Sequence, residues 1–192
     1  QRRLWLPRLL LFKVMFFSGL AKWQSHLNDW HDGTAMQHYY ETAPLPTWMG
    51  WYAHHLPKEW HIFESWWALF FELAVPFLLF GSLRWRRVAA SIFGLFFIVD
   101  SATANYGFFV PQAAVLSILV SLPITLKSPE KNTSNYIDWA WISIFVIVSS
   151  IIGLNRFAGQ HILEAELSSF SHFRLINPYH LFGHITRQRT EA

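Results

Sequence analysis

The sequence predicts an all-α fold: a polytopic membrane helix bundle of about five transmembrane helices with a long ordered outer loop. Three observations lead there. The 192 residues are 53% hydrophobic and 18% aromatic but only 14% charged, a composition poor for a soluble domain and suited to a membrane-embedded one. Apolar runs recur along the chain at lengths near the roughly 20 residues that cross a hydrocarbon core. Arginines flank those runs, at Arg2 and Arg3 and at Arg84, Arg86 and Arg87, which marks topology and argues against a nucleic-acid surface despite the net charge of +3. Without cysteine, disulfides, thiolate metal sites and thiol redox chemistry are excluded.

The first run, residues 4–21, has the length of one crossing. Arg8 can snorkel to the near interface, whereas Lys13 lies mid-span and needs a partner inside the protein. A polar interlude, 23–61, follows. Asp32-Gly33 marks a turn, and Thr34 with Gln37 has capping-box form for a short helix toward Tyr40. From His38 to Pro57 the prolines Pro44, Pro46 and Pro57 predict a rigid, extended loop and not a helix.

The second run, 62–80, carries Glu72 and a kink at Pro76. The third, 88–104, carries Asp100, which water or an outer-loop histidine could satisfy. The fourth, 108–126, is weakened by Pro111 and Pro123. The fifth, 136–154, follows a polar connector and has Asp138 as its candidate cap. Phe157, Leu163, Leu167 and Phe170 then recur at near-helical spacing, predicting a short amphipathic helix on the interface. The organisation expected is a five-helix membrane domain over 1–155, including the outer loop 23–61, and an interfacial helix with further sequence over 156–192.

Charge orients the bundle. The interlude holds only Lys58 and no arginine, so it should be the translocated side, with a cytoplasmic N-terminus. In that orientation Lys13 and Glu72 each lie about nine residues, roughly 13 Å, from the cytoplasmic end of their runs. An intramembrane Lys13–Glu72 ion pair is expected, its role structural before any proton relay, because pairing offsets the cost of buried charge.

Ten histidines invite a metal reading, and six of them lie between His26 and His61. The spacing does not support it. No His-x-x-x-His helix motif occurs, and the adjacent His54 and His55 diverge on regular backbone. A general base, Glu41 or His54, beside Tyr40 or Tyr52 would make sense at a membrane surface. Yet no nucleophile elbow or phosphate loop accompanies it, so enzymatic signals are weak and no cofactor or metal is expected. Trp48, Trp51, Tyr52, Trp60, Trp66 and Trp67 also suit an interfacial aromatic belt.

The strings Tyr39-Tyr40-Glu41-Thr42-Ala43-Pro44-Leu45-Pro46 and Trp51-Tyr52-Ala53-His54-His55-Leu56-Pro57 resemble the lipase maturation factor family. So do Leu11-Phe12-Lys13-Val14-Met15-Phe16 with Ser18, Gly19 and Lys22, the Glu72-Leu73 and Pro76 pattern, Asn105-Tyr106-Gly107-Phe108-Phe109, and Ile176-Asn177 with Tyr179, Leu181 and Phe182. The chain departs from the family pattern at Ala104 and Val110.

The resemblance implies a membrane core truncated before the family's C-terminal domain. It implies assistance in folding or maturation of exported or secreted lipases. The membrane would be the endoplasmic reticulum in a eukaryote or the inner membrane in a bacterium. The partners implied are the lipid bilayer and a client lipase or the missing C-terminal domain, with no nucleic acid. The residues expected to form a recognition surface are Tyr40, Glu41, Trp51, Tyr52, His54, His55, Asn105 and Tyr106. The alternative is a membrane-embedded enzyme acting on a lipid or quinone-like substrate, by fold-level analogy to vitamin K-dependent carboxylase-like proteins.

Overall fold

A computed structural model describes residues 5–25, 27–43, 45, 47–104, 106–123, 133–163 and 167. These residues fold into helices with no strand among them: α1 (Trp5–Trp23), α2 (Ala35–Thr42), α3 (Trp48–His54), α4 (Lys58–Leu73) with a 3-10 helix after it (Val75–Phe80), α5 (Leu83–Thr103), α6 (Phe109–Ser121) and α7 (Thr133–Phe157).

The interlude is more helical than its prolines predict. Pro44 and Pro46 lie outside the described residues. Pro57 occupies the N-cap position of α4, where a missing N–H costs nothing because it would have had no intrahelical partner. Thr47 caps α3, its hydroxyl accepting from the Gly50 N–H at 3.0 Å. Pro57 thus marks a helix boundary, and α2 and α3 occupy much of the interlude. The capping box at Thr34 does not form. The Thr34 hydroxyl instead donates to Asp32 Oδ1 at 2.6 Å, and no side chain caps α2.

Pro76 ends α4 at Leu73, and the chain tightens into the 3-10 helix because proline offers no N–H to the preceding turn. Asp138 sits in the second turn of α7 and cannot cap it. Phe157 closes α7, and the chain after it is non-helical through Leu163, which has φ +50°. The amphipathic helix predicted from Phe157 is therefore interrupted. Leu167 is helical, its N–H donating to the Leu163 carbonyl oxygen at 2.9 Å; Phe170 lies outside the described residues, as does most of the connector before α7.

Among the described residues, two segments suffice by length and apolar composition to cross a membrane, Lys58–Phe80 and Asp138–Phe157. Helices α1 and α5 have 19 and 21 residues, but α1 carries Arg8, Lys13 and Lys22, and α5 carries three arginines and Asp100. Helix α6 has 13 residues, about 20 Å at helical rise.

The main core joins Leu11 and Met15 of α1, Leu79 of the 3-10 helix, Phe93 and Phe97 of α5 and Val110 of α6. Gly19 lets α1 approach α4: a Cβ there would lie 2.9 Å from the Glu72 Cβ and from Leu73. Arg86 at the start of α5 donates to the Val120 carbonyl at the end of α6, 3.2 Å away, satisfying a terminal acceptor. A second core, around Trp30, Ala35, Tyr39, Tyr40 and Leu69, packs the interlude against α4.

Candidate functional site

The expected Lys13–Glu72 pair is not the one that forms. Lys22 pairs with Glu72, both side chains almost wholly buried. Nine residues are about two and a half turns of helix, so Lys13 and Lys22 project from opposite sides of α1. The Lys22 side shares its face with Leu11, Met15 and Ser18 and meets α4. Lys13 faces away, its ammonium 5.8 Å from the Phe17 ring centre and 5.4 Å from that of Phe145 on α7. Depth along the helix allows either lysine; only rotation about the axis of α1 separates them.

Around Lys22 and Glu72 the structure gathers a small chamber of about 60 Å³, lined also by Trp30, Tyr39, Asp100 and Tyr106 among apolar side chains. Lys22 lies 5.3 Å from the Trp30 ring centre, a cation–π arrangement. The Tyr39 hydroxyl donates to Asp100 Oδ1 at 3.5 Å, so a tyrosine of α2, and not a histidine, answers Asp100. Sequence reasoning missed Lys22 and Trp30. The available signal was the one-face spacing of Leu11, Met15, Ser18 and Lys22.

Beside the chamber, the start of α4 receives α2 and α3. Ser65, fully buried, donates to a carbonyl oxygen of its own turn, His61, at 2.8 Å or of Gly33 at 3.1 Å, and accepts from the Met36 N–H at 3.2 Å. Glu64 serves two partners. One carboxylate oxygen accepts from the Tyr40 hydroxyl at 3.2 Å, and the other lies 3.3 Å from Nδ1 of buried His61. His61 Nε2 is in turn 3.3 Å from the His54 carbonyl oxygen. Burial, with Glu64 beside the hydroxyl, pushes the Tyr40 phenol above the usual tyrosine range. Burial does the same to Tyr106. Both remain neutral hydrogen-bonding groups at physiological pH.

The sequence-predicted residues therefore divide. Tyr40 is 7% exposed and belongs to the packing around Ala35 and Leu69. Glu41 is exposed and draws two imidazoles toward it, His38 at 3.9 Å and His54 at 3.7 Å. His55 turns the other way, Nδ1 2.7 Å from the Trp51 carbonyl oxygen and its ring 4.1 Å from the Trp51 ring centre. Trp51 and Tyr52 are 59% and 61% exposed. Tyr106 lies behind Tyr39, ring centres 6.5 Å apart. Asn105 lies outside the described residues.

Helix α3 holds its aromatics rigidly. The Thr47 hydroxyl, besides capping α3, donates to the Ala102 carbonyl oxygen at 2.5 Å, and a Cβ on Gly50 would collide with the Thr103 carbonyl oxygen. Only glycine lets α3 sit this close to the end of α5. Among the described residues no group of three or more His, Asp or Glu side chains is placed to hold a metal ion.

A family model described as "Lipase maturation factor transmembrane domain" matches residues 2–125. Lipase maturation factor 1 of Bos taurus is 31% identical over 224 aligned residues, covering 98% of this chain and 38% of that protein. Lipase maturation factor 2 of Homo sapiens is 40% identical over 114 residues, covering 59% of this chain and 16% of that protein. The chain thus spans well under half the length of these relatives. No solved structure matches it.

Proposed function

This chain belongs to the lipase maturation factor family, and on that premise we propose that it is the membrane-embedded part of a protein that assists the folding or maturation of exported lipases. The observation that carries the proposal is the crest of α3: Trp48, Trp51 and Tyr52 are exposed on a short helix fixed at Thr47 and Gly50. Large, rigid aromatics lose little conformational entropy on contact and are common anchors of protein recognition. Glu41, His54 and His55 border that crest. The partner is a client lipase or a further domain of the same protein.

The arrangement in the membrane belongs to the same proposal. Five crossings, made by α1, α4 with its 3-10 helix, α5, α6 and α7, put the N-terminus in the cytoplasm and the interlude on the lumenal or periplasmic side. Helix α6 crosses with its flanking residues or where the bilayer thins. The membrane is that of the endoplasmic reticulum in a eukaryote and the inner membrane in a bacterium.

The test is co-expression of the intact protein with a secreted lipase. Trp51→Ala and Tyr52→Ala, being surface changes, should leave the amount of membrane protein unchanged and lower the lipase activity recovered. Normal lipase activity from folded variants removes the α3 crest from the client surface. Reporter fusions at Lys131 and Ala192 check the topology and should fall on opposite sides.

A further inference from the structure

Lys13 is a buried cation. It is 7% exposed, yet it makes no ion pair among the described residues, and its contacts are the rings of Phe17 and Phe145. Burying an ammonium group without a counter-charge is costly, and intramembrane charges are ordinarily paired. The carboxylate that the sequence offered, Glu72, is taken by Lys22 on the opposite side of α1.

The surroundings of Lys13 indicate what could answer it. Between α1 and α7 lies a cleft of about 500 Å³, walled by Phe12, Phe17, Phe145, Val146, Leu154 and Phe157, within the usual size of small-molecule sites of about 300–1,000 Å³. Its walls are otherwise apolar except for two serines. One of them, Ser149, is 8% exposed with a buried hydroxyl oxygen that has no hydrogen-bond partner among the described residues. Ser149 stands one turn beyond Phe145 on the same face of α7, and so on the side that receives Lys13. An ammonium and a hydroxyl, both nine-tenths buried and both lining one apolar cleft, form a donor pair for an anion with a hydrocarbon body.

We propose that the α1–α7 cleft binds a single-chain carboxylate amphiphile, a long-chain fatty acid, with its carboxylate on Lys13 and Ser149 and its chain along the phenylalanines and Leu154. The pair formed is net neutral, which removes the penalty of the lone charge. Depth selects carboxylate over phosphate. Lys13 is the ninth of the 19 residues of α1, about 12 Å or more from either end. A fatty acid can reach that depth in its neutral protonated form and returns one proton to the water phase as its carboxylate pairs with the ammonium, whereas a lysophospholipid phosphate keeps its charge and stays at the interface. The site is on the opposite side of α1 from the Lys22–Glu72 chamber and does not depend on the lipase-maturation reading.

Photo-crosslinking of the purified intact protein in phosphatidylcholine nanodiscs tests this with three probes sharing one diazirine-bearing chain: the palmitic acid analogue, its methyl ester and the lysophosphatidate. The acid should label α1 and α7 peptides saturably and be displaced by unlabelled palmitate. The ester should label about tenfold less, the loss expected when one charge-assisted hydrogen bond is removed. Lys13→Met should abolish the difference between acid and ester, and Lys13→Arg should keep it. Val146→Trp, which fills the cleft and keeps the Lys13 ammonium, should reduce labelling by the acid as an independent check. Palmitate should raise the melting temperature of the wild type and not of Val146→Trp. Equal, unsaturable labelling by acid and ester means annular lipid only and overturns the proposal. Preferential labelling by the lysophosphatidate overturns it as well, in favour of an anionic headgroup site.

Discussion

Lys22 at the end of α1 and Glu72 in the last turn of α4 form a buried ion pair at the point where Gly19 lets the two helices nearly touch. The pair ties α1, whose apolar face completes the main core, to the helix that carries the interlude. Breaking such a pair by removing one partner leaves an uncompensated charge and costs about 3–5 kcal/mol, whereas replacing both with apolar residues is often neutral. Lys22→Met and Glu72→Leu should each lower the melting temperature of the detergent-purified protein sharply, and the double variant should recover most of the loss. Lys13→Met, which removes a charge that makes no ion pair among the described residues, should be near neutral or stabilising in detergent free of fatty acid. If Lys13→Met were as damaging as Lys22→Met, the assignment of the pair would be wrong.

The Gly19 contact makes its own prediction. Gly19→Val pushes a branched side chain into Glu72 and Leu73, atoms that a single Cβ already approaches to 2.9 Å, and overpacking of this kind costs about 1–3 kcal/mol. Gly94, on α5, has nothing within 4 Å of the place a Cβ would occupy, so Gly94→Ala should be neutral or stabilise by up to about 1 kcal/mol through helix propensity. Thermal melts should show a lowered melting temperature for Gly19→Val and no lowering for Gly94→Ala.

Ser65 fastens the interlude to α4 through Gly33 and Met36. Ser65→Ala leaves the Met36 N–H without that acceptor, at a cost of about 1–3 kcal/mol for a buried group. Limited proteolysis should register the change as faster cleavage between Trp23 and Met36, with the remainder of the bundle protected. Uniform protection in the variant would mean that apolar packing of Trp30 and Ala35 suffices.

Thr47 joins a helix cap to an interhelical hydrogen bond. Thr47→Ala should destabilise by about 1–2 kcal/mol, the upper part of the range for lost caps, and Thr47→Ser should retain most of the stability. Fluorescence of Trp48 and Trp51, read against the wild type, should report a loosened α3 in Thr47→Ala only.

The raised Tyr40 phenol fixes the sign of an alkaline effect. An unfolded tyrosine loses its proton near pH 10, while Tyr40, buried against Glu64, holds its own to higher pH. The stability it contributes is therefore complete below about pH 10 and declines as pH rises above that value. Tyr40→Phe should flatten this alkaline decline relative to wild type, measured as melting temperature from pH 9 to 11. An unchanged slope would mean that Tyr40 ionises as readily folded as unfolded.

The outcome at the interlude shows what a sequence can hide. Proline reads there as a loop-maker, correctly as local chemistry, but Pro57 stands at the N-cap of α4 and Thr47 starts α3 immediately after Pro46. A proline at a helix boundary and a proline in an extended loop look alike until the neighbouring turn is known. Tyr40 reads as a surface residue because the motif containing it is polar and aromatic. Ala35, Tyr39, Tyr40 and Leu69 form one packed cluster, an association between residues about 30 apart that no local pattern encodes.

By itself the sequence determined the all-helical character, the approximate position of each apolar helix and the family, because these follow from composition, periodicity and unusual strings read in order. Tertiary structure alone decided which lysine meets Glu72. Depth along a helix can be counted from the sequence, but the face that turns toward a neighbour is set by where the neighbour packs. Gly19 settles that contact in favour of Lys22 and leaves Lys13 to face α7.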